Sequence, residues 1–282
     1  MRYDRLFRKL YCEPLLVKAS AWRGFERALL THAANFAATG EKSPSRRLGK
    51  QSERSVRSRL NNILEMAGTD MAIIHIDGVI DKNISDFEME CYGGYDLRDL
   101  DNALALVAAD PAILNVMLLI DSPGGSVTGV PESAAKVAAL ASMKNVFAFT
   151  EGMMCSAAYY IASQTDQIFG TESSDVGSIG VYCALLDATV ALANEGLKIN
   201  FISDGKFKGM GAPFKPLTDE ERAMFQEEVD RIGEMFREAV SSKRPNVSND
   251  VMQGQSFFGS AALDANLIDA VLPDLATALA QF

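Results

Sequence analysis

The sequence predicts an α/β protein built on a mainly parallel sheet with flanking helices, preceded by a basic N-terminal arm that is helical or flexible. Three observations carry this expectation. From Met71 onward, apolar β-branched runs alternate with helical stripes over about a hundred residues, the pattern of right-handed βαβ units. Ile113 to Ile120 is almost continuously apolar, as a strand covered on both faces is. Charge divides the chain as well. Residues 1–60 carry 14 Lys/Arg against 5 Asp/Glu, while the remaining 222 carry 13 against 32. The net charge of −10 is therefore an average over two unlike parts.

Taken in order, the arm begins with Met1 to Leu10, which alternates charge with apolar residues. Leu6-Phe7, Leu10, Pro14 to Val17 and Trp22 to Leu30 suit one or two short amphipathic helices. Glu41 to Arg59 is polar, basic and Ser-rich and reads as a linker; Leu60 to Met66 reads as a short helix. The expected division is an arm and linker over 1–66 and an enzyme domain over 67–282. Met71 to Gly78 is then a strand. Tyr95 to Ala109 is a helix with its stripe at Leu97, Leu100, Ala103, Leu104 and Val107, closed by Asp110-Pro111. After the Ile113–Ile120 strand comes a sharp Ser-Pro-Gly-Gly-Ser turn, with a helix over Val130–Ser142. The remaining elements are a strand over Asn145–Thr150, a helix over Ser156–Gln164, a strand over Gln167–Gly170, and a Thr-capped helix over Thr218–Ser242. That last helix has a broad stripe of Met224, Phe225, Val229, Ile232, Met235 and Phe236.

Composition excludes several kinds of chemistry. With only His32 and His75, a His-rich metal centre is out. Cys12, Cys91, Cys155 and Cys183 show no zinc-ligand spacing and read as thiols in a reducing compartment. No stretch approaches a membrane span or a signal h-region, so a cytoplasmic protein is expected. The acidic domain is a poor general nucleic-acid binder.

Sites in parallel sheets form at the C-terminal ends of strands, where Ser122–Ser126 and Gly152–Ser156 fall. Gly124-Gly125 can expose backbone N–H groups as an oxyanion receptor, or can simply make a tight turn. Ser126 and Thr128 are placed to cap the next helix. Ser156 precedes an apolar helix start and reads either as an N-cap or as a nucleophile. A nucleophile needs a base. His75 has apolar neighbours and reads as a core histidine, and His32 lies in the arm. The alternative is a lysine whose pKa is lowered by burial, with Lys206 and Lys208 as candidates.

The stretch from Met71 to about Leu272 resembles the S49 peptidase family, which groups signal peptide peptidase A, SohB-like proteins and phage capsid-assembly proteases. The matching pieces run in the family's order: Ala72-Ile-Ile-His-Ile-Asp-Gly-Val-Ile, Leu119-Ile-Asp-Ser-Pro-Gly-Gly-Ser-Val and Met154-Cys-Ser-Ala-Ala-Tyr-Tyr-Ile-Ala come first. Val176-Gly-Ser-Ile-Gly-Val, Ile202-Ser-Asp-Gly-Lys-Phe-Lys-Gly-Met-Gly-Ala-Pro-Phe and Leu217-Thr-Asp-Glu-Glu-Arg follow. Three departures stand out. Ala157-Ala158 replaces a common Gly-Gly, Ala265-Asn266 replaces a Gly near the C-terminus, and neither the hydrophobic N-terminal anchor of some members nor the C-terminal scaffold region of others is expected.

The resemblance implies a crotonase/ClpP-like spiral and a Ser/Lys dyad without metal or cofactor. Ser156 would be the nucleophile and Lys208 the general base, with Lys206 as second choice and Ser178 orienting the lysine. The N–H groups of Gly125 and Ala157 would hold the oxyanion, with Gly124 giving the turn room, and the same loop would pair with an extended polypeptide substrate. The basic arm suits the phage or prophage branch, acting on scaffold or portal-associated proteins inside a prohead, as a homo-oligomeric ring. Cytosolic protein degradation, a crotonase-type acyl-CoA enzyme and an inactive capsid component are the alternatives.

Overall fold

The structure is a computed structural model that describes residues 14–18, 59–84 and 94–282. The expected helices over Leu6–Leu10 and Trp22–Leu30, His32, and nearly all of the Glu41–Arg59 linker lie outside the described residues. The described chain forms two units, one containing the described residues of 16–180 and 236–282, the other residues 14–15 with 181–235.

The larger unit is organised by a repeated strand–strand–helix module. β3 (Met71–Asp77), β6 (Asn115–Asp121), β8 (Asn145–Thr150) and β10 (Gln167–Gly170) lie in one six-stranded sheet of order β13-β10-β8-β6-β3-β2. Here β13 is Ala270–Val271 and β2 is Leu64–Ala67. All neighbours in this sheet are parallel except β2, which runs antiparallel to β3. After each main strand the chain makes a short strand that leaves this sheet. These are β4 (Ile80–Asp81), β7 (Gly124–Ser126), β9 (Met153–Cys155) and β11 (Asp175–Gly177). β4 and β7 join β1 (Leu15–Val17) and β5 (Tyr95–Asp96) in the order β1-β7-β4-β5, and β9 and β11 join β12 (Ser256–Phe258). A helix then returns to the next main strand: α1 (Leu97–Ala109), α2 (Val130–Ala141) and α3 (Ala157–Ala162). Three successive turns of this module make the α/β spiral.

The predicted helical stripe becomes the buried face of α1: Leu97, Leu100, Ala103, Leu104 and Val107 are all inside. Each such side chain contributes about 1.5–3 kcal/mol of burial, less for alanine. Asp96 caps this helix by accepting from the Arg98 N–H at 3.0 Å, and Asp110 ends it. Below the main sheet, Ile73, Met117, Phe147, Phe149 and Phe169 pack with Ala278.

Four local expectations are corrected. Residues 59–63 are helical, but Leu64–Ala67 is a strand, because it satisfies the open edge of β3 in the register Leu64↔Ile74 to Ala67↔Met71. Leu15–Val17 is likewise a strand, paired to β7. Ser126 does not cap α2. Its hydroxyl donates to buried Asp81 at 2.7 Å, and Gly129, at φ 88°, occupies the N-cap position. His75 is no core histidine, because it is part-exposed with Nε2 3.3 Å from Glu65.

The smaller unit is dominated by turns over 195–217. Phe201 and Phe214 have ring centroids 5.2 Å apart. A Cβ on Gly209 would stand 2.5 Å from the Phe201 ring, and one on Gly211 would stand 2.9 Å from Phe225. α5 (Asp219–Lys243), which follows α4 (Thr189–Asn194), opens with a reciprocal capping box. The Glu221 N–H donates to Thr218 Oγ1 at 3.2 Å, and the Thr218 N–H donates to Glu221 Oε2 at 3.1 Å. In the larger unit, the C-terminal half of α5 buries Phe236 and Val240. Phe236 stacks on Tyr160 at 4.8 Å.

The Lys215 ammonium hydrogen-bonded to Glu221, followed by the Thr218 N–H, holds that carboxyl below its usual range. Its stabilising contribution is thus complete above the unfolded value of about 4.3 and is lost as pH falls through the lowered folded value. Thr218→Ala should lower stability by about 1 kcal/mol, seen as a lower urea midpoint. Glu221→Gln should flatten the acid limb of the midpoint-versus-pH curve.

Candidate active site

The site grows out of two adjacent strand ends in the larger unit. β6 finishes at Asp121, and the next turn is stitched to β9. The Ser122 N–H donates to the Met153 carbonyl at 2.7 Å, the Cys155 N–H donates to the Ser122 carbonyl at 3.1 Å, and the Met153 N–H donates to Asp121 Oδ1 at 3.0 Å. Ser122 also closes its own turn, accepting from the Gly124 N–H at 3.1 Å. Gly124 lies in the left-handed region, at φ 99°. A Cβ there would stand 2.2 Å from the Leu16 carbonyl oxygen, 2.8 Å from Ser156 Cβ and 2.9 Å from the Cys155 carbonyl oxygen. On Gly125 it would stand 1.7 Å from the Ile80 carbonyl oxygen. Both glycines are therefore required by close backbone approach.

β9 delivers Ser156 to the same place. Its backbone is at φ 56° and ψ −116°, a conformation that costs a non-glycine residue about 1–3 kcal/mol. It is held there from both sides. The Ser156 N–H donates to the Gly177 carbonyl at 2.8 Å, and its carbonyl accepts the Tyr160 N–H at 2.8 Å, starting α3. Ser156 thus occupies the N-cap position, yet its hydroxyl makes no capping bond. Oγ is buried and has no hydrogen-bond partner among the described residues. Leaving a buried hydroxyl unpaired costs about 1–3 kcal/mol, an outlay a helix cap would not need.

Ala157 follows, fully buried. As the first residue of α3, its N–H belongs to the group that a helix cannot satisfy internally. Ser178 enters through the parallel pairing of β9 and β11, in which Cys155 faces Gly177. Ser156 and Ser178 are the next residues on the two strands, and both have φ near 55° (56° and 54°). The Ser178 N–H donates to the Gln255 carbonyl at 2.8 Å. Ser156, Ala157, Gly124, Gly125 and Ser178 therefore all belong to one unit.

The neighbouring thiol is not a rival nucleophile. Cys155 is buried, and desolvation, reinforced by Asp175, pushes it up to about 12. Two acidic residues beside the site carry no motif of their own in the sequence. Asp121 anchors β9 and stands opposite Asp77 in register. Burial raises the Asp77 carboxyl, with nearby His75 opposing the shift and Asp121 adding to it. Asp175, on β11, forms an ion pair with Lys18. The only sequence signals were their places at the end of one strand and just before Val176-Gly-Ser.

In the smaller unit, described by itself, the two candidate lysines differ. Lys206 donates to Glu220 at 2.6 Å and lies 5.1 Å from the Phe207 ring centroid. Lys208 is exposed, without an ion pair among the described residues; its N–H donates to the Gly205 carbonyl at 3.2 Å. Burial of this lysine, as the sequence reading required of a base, is not a feature of the unit alone.

The profile of peptidase family S49 matches residues 138–280, half of the chain. A Methanocaldococcus jannaschii protein named as a protease is 32% identical over 179 residues, covering 62% of this chain and 58% of its own. Capsid assembly protease C of Escherichia phage lambda is 32% identical over 171 residues, covering 60% and 39%. The chain thus spans less than two thirds of the length of these relatives. A ClpP1 variant from Listeria monocytogenes is similar over 79% of this chain and 98% of its own, at 12% identity and a TM-score of 0.46.

At pH 8 a thiol with a pKa of about 12 is thiolate in roughly one molecule in ten thousand. Iodoacetamide should therefore leave Cys155 of the native protein unmodified for hours and alkylate it promptly in urea, as read by peptide mass spectrometry.

Proposed function

The chain belongs to peptidase family S49, and from that premise we propose that it is a serine endopeptidase with a Ser156/Lys208 dyad. The observation that carries this reading is Ser156 itself. Its hydroxyl is buried and unpartnered, on a strained backbone, at a turn that only glycine can make. Strain and an unsatisfied hydroxyl held by surrounding structure are the marks of a group kept for chemistry.

The neutral amine of Lys208 takes the Ser156 proton as Oγ attacks the peptide carbonyl carbon. The N–H groups of Gly125 and Ala157 hold the oxygen as it becomes negative. The C–N bond then breaks, Lys208 returns the proton to the departing amine, and water releases the acyl group by the same steps. Ser178 orients the lysine. The ion pair of Lys206 with Glu220 leaves Lys208 as the available base. Because Lys208 is exposed in its own unit, bound substrate or a second copy supplies its cover in this reading. The peptidase domain is assigned to 67–282 with 1–66 as a basic arm; β1 (Leu15–Val17) lies within that arm and β2 (Leu64–Ala67) straddles the boundary, and both join the sheets.

The biological role we assign is phage or prophage head maturation, supported by the likeness to the lambda capsid assembly protease, with scaffold or portal-associated protein as substrate and a homo-oligomeric ring as the working form. Among the described residues no helix is long and apolar enough to cross a membrane.

A fluorophosphonate probe should label Ser156 in the native chain and nothing in Ser156→Ala. An absence of labelling would favour an acyl-CoA enzyme or an inactive capsid part. Lys208→Ala should cut turnover of an unstructured protein by at least about a thousandfold, whereas Lys206→Ala should stay within about twofold. Purified head scaffold protein should yield a few discrete fragments by mass spectrometry, where general degradation would give many. Light scattering should find an oligomer, and a monomer at all concentrations would remove the ring.

A further inference from the structure

The peptidase reading requires an extended substrate strand beside β7, and that position holds a piece of this chain. β1 pairs with β7 in the four-stranded sheet, and the Lys18 N–H donates to the Pro123 carbonyl at 2.8 Å. The Leu16 carbonyl oxygen is 2.2 Å and Ser156 Cβ 2.8 Å from the same point, the place of the missing Gly124 side chain. The peptide carbonyl and the nucleophile's side chain can stand no further apart than those two distances combined. A carbonyl beside a serine, on a strand added to the oxyanion turn, is how a peptide docks by strand addition.

The side chains of this strand are also received by built surroundings. Leu16 is completely buried. Two residues on, the Lys18 ammonium pairs with Oδ2 of buried Asp175, on the strand whose Gly177 carbonyl holds the Ser156 N–H. The other oxygen of Asp175 is buried with no hydrogen-bond partner. A lysine uses one of the two acceptors, whereas a guanidinium fork fits both.

We propose that Leu16–Lys18 is an internal occupant of the peptide cleft, and that Asp175 is a specificity-determining residue selecting a basic side chain two positions after an apolar one. This rests on the assignment of Ser156 as the peptidase nucleophile. The segment competes with substrate, so the free cleft is only a fraction of the population and apparent affinity falls by that fraction. Substrates carry an apolar residue in the place of Leu16 and arginine or lysine in the place of Lys18. Reversing the Lys18 charge leaves Asp175 facing a like charge and ejects the segment.

The test uses the full-length Ser156→Ala protein, so that binding is read without chemistry, with a fluorescent peptide containing Pro-Leu-Leu-Val-Lys. Fluorescence anisotropy should show binding to Ser156→Ala/Lys18→Glu about tenfold tighter than to Ser156→Ala, with Lys18→Ala giving a smaller gain. A peptide with arginine for the lysine should bind tighter still, and one with glutamate should not bind. Adding Asp175→Asn should erase the preference for a basic residue while peptide binding persists. In protein with Ser156 intact, Lys18→Glu should accelerate fluorophosphonate labelling by the same factor. Equal peptide affinity with and without Lys18→Glu, or no binding to either, overturns the occupancy. An unchanged basic preference after Asp175→Asn overturns the role of Asp175. Failure of labelling in every form, with peptide binding as described, would instead sink the peptidase reading and leave the cleft's occupant in place.

Discussion

At Gly124 the chain has room for a hydrogen atom and nothing larger, because the Leu16 carbonyl, the Cys155 carbonyl and the Ser156 side chain already crowd the space a Cβ would take. That crowding joins three strands, β1, β7 and β9, at one point. It can exist only because Ser122 ties the β6–β7 turn to β9 through two backbone hydrogen bonds, 2.7 and 3.1 Å long. It also fixes the conformation of Ser156. With its N–H committed to Gly177, the residue is held out of the extended conformation of an ordinary helix cap, although its carbonyl still starts the helix by accepting from Tyr160. The backbone bonds thus hold the hydroxyl away from the capping partner it would otherwise find.

Where local pattern and tertiary structure asked the same thing of a segment, the sequence could be read directly. The stripe of α1, its end at Asp110, and the strands Asn145–Thr150 and Gln167–Gly170 appear as expected, since buried faces impose their period on residue order. Leu15–Val17 and Leu64–Ala67 were not legible as strands. Both lie at sheet edges, where the deciding partner is an unpaired strand far away in the chain. Ser126 illustrates a second limit: a serine near a helix start looks like a cap whether its hydroxyl turns to the helix or, as here, to a buried carboxylate.

The candidate site was partly legible for a similar reason. The Gly-Gly turn and the Ser-Ala-Ala start were visible as motifs, but a cap and a nucleophile share one residue type in one position. They differ in a backbone angle and an empty hydrogen bond, which no residue name encodes. Lys206 and Lys208, two positions apart in one turn, were separable by the resemblance to a family and not by composition. The carboxylate that occupies Lys206 comes from the first turn of α5, a helix placed there for its own capping reasons.

The electrostatics of the larger unit extend the same logic from backbone to charge. Around Ser156, backbone groups are satisfied by short hydrogen bonds and the one nearby thiol is kept protonated by burial. Four described oxygens of this unit are buried without a partner: Tyr95 Oη, Thr171 Oγ1 and, on or beside β9 and β11, the two oxygens Ser156 Oγ and Asp175 Oδ1. A unit that satisfies most of its polar atoms gains nothing in stability from leaving these two open, since each costs free energy in the folded state. Ser156 follows the C-terminal end of β9, beside Ser178, whereas Asp175 opens β11 opposite Met153. Under the proposed function, one of these oxygens attacks a carbonyl and the other receives a basic side chain. The parallel register of β9 and β11 spaces the two oxygens three positions apart along the strands.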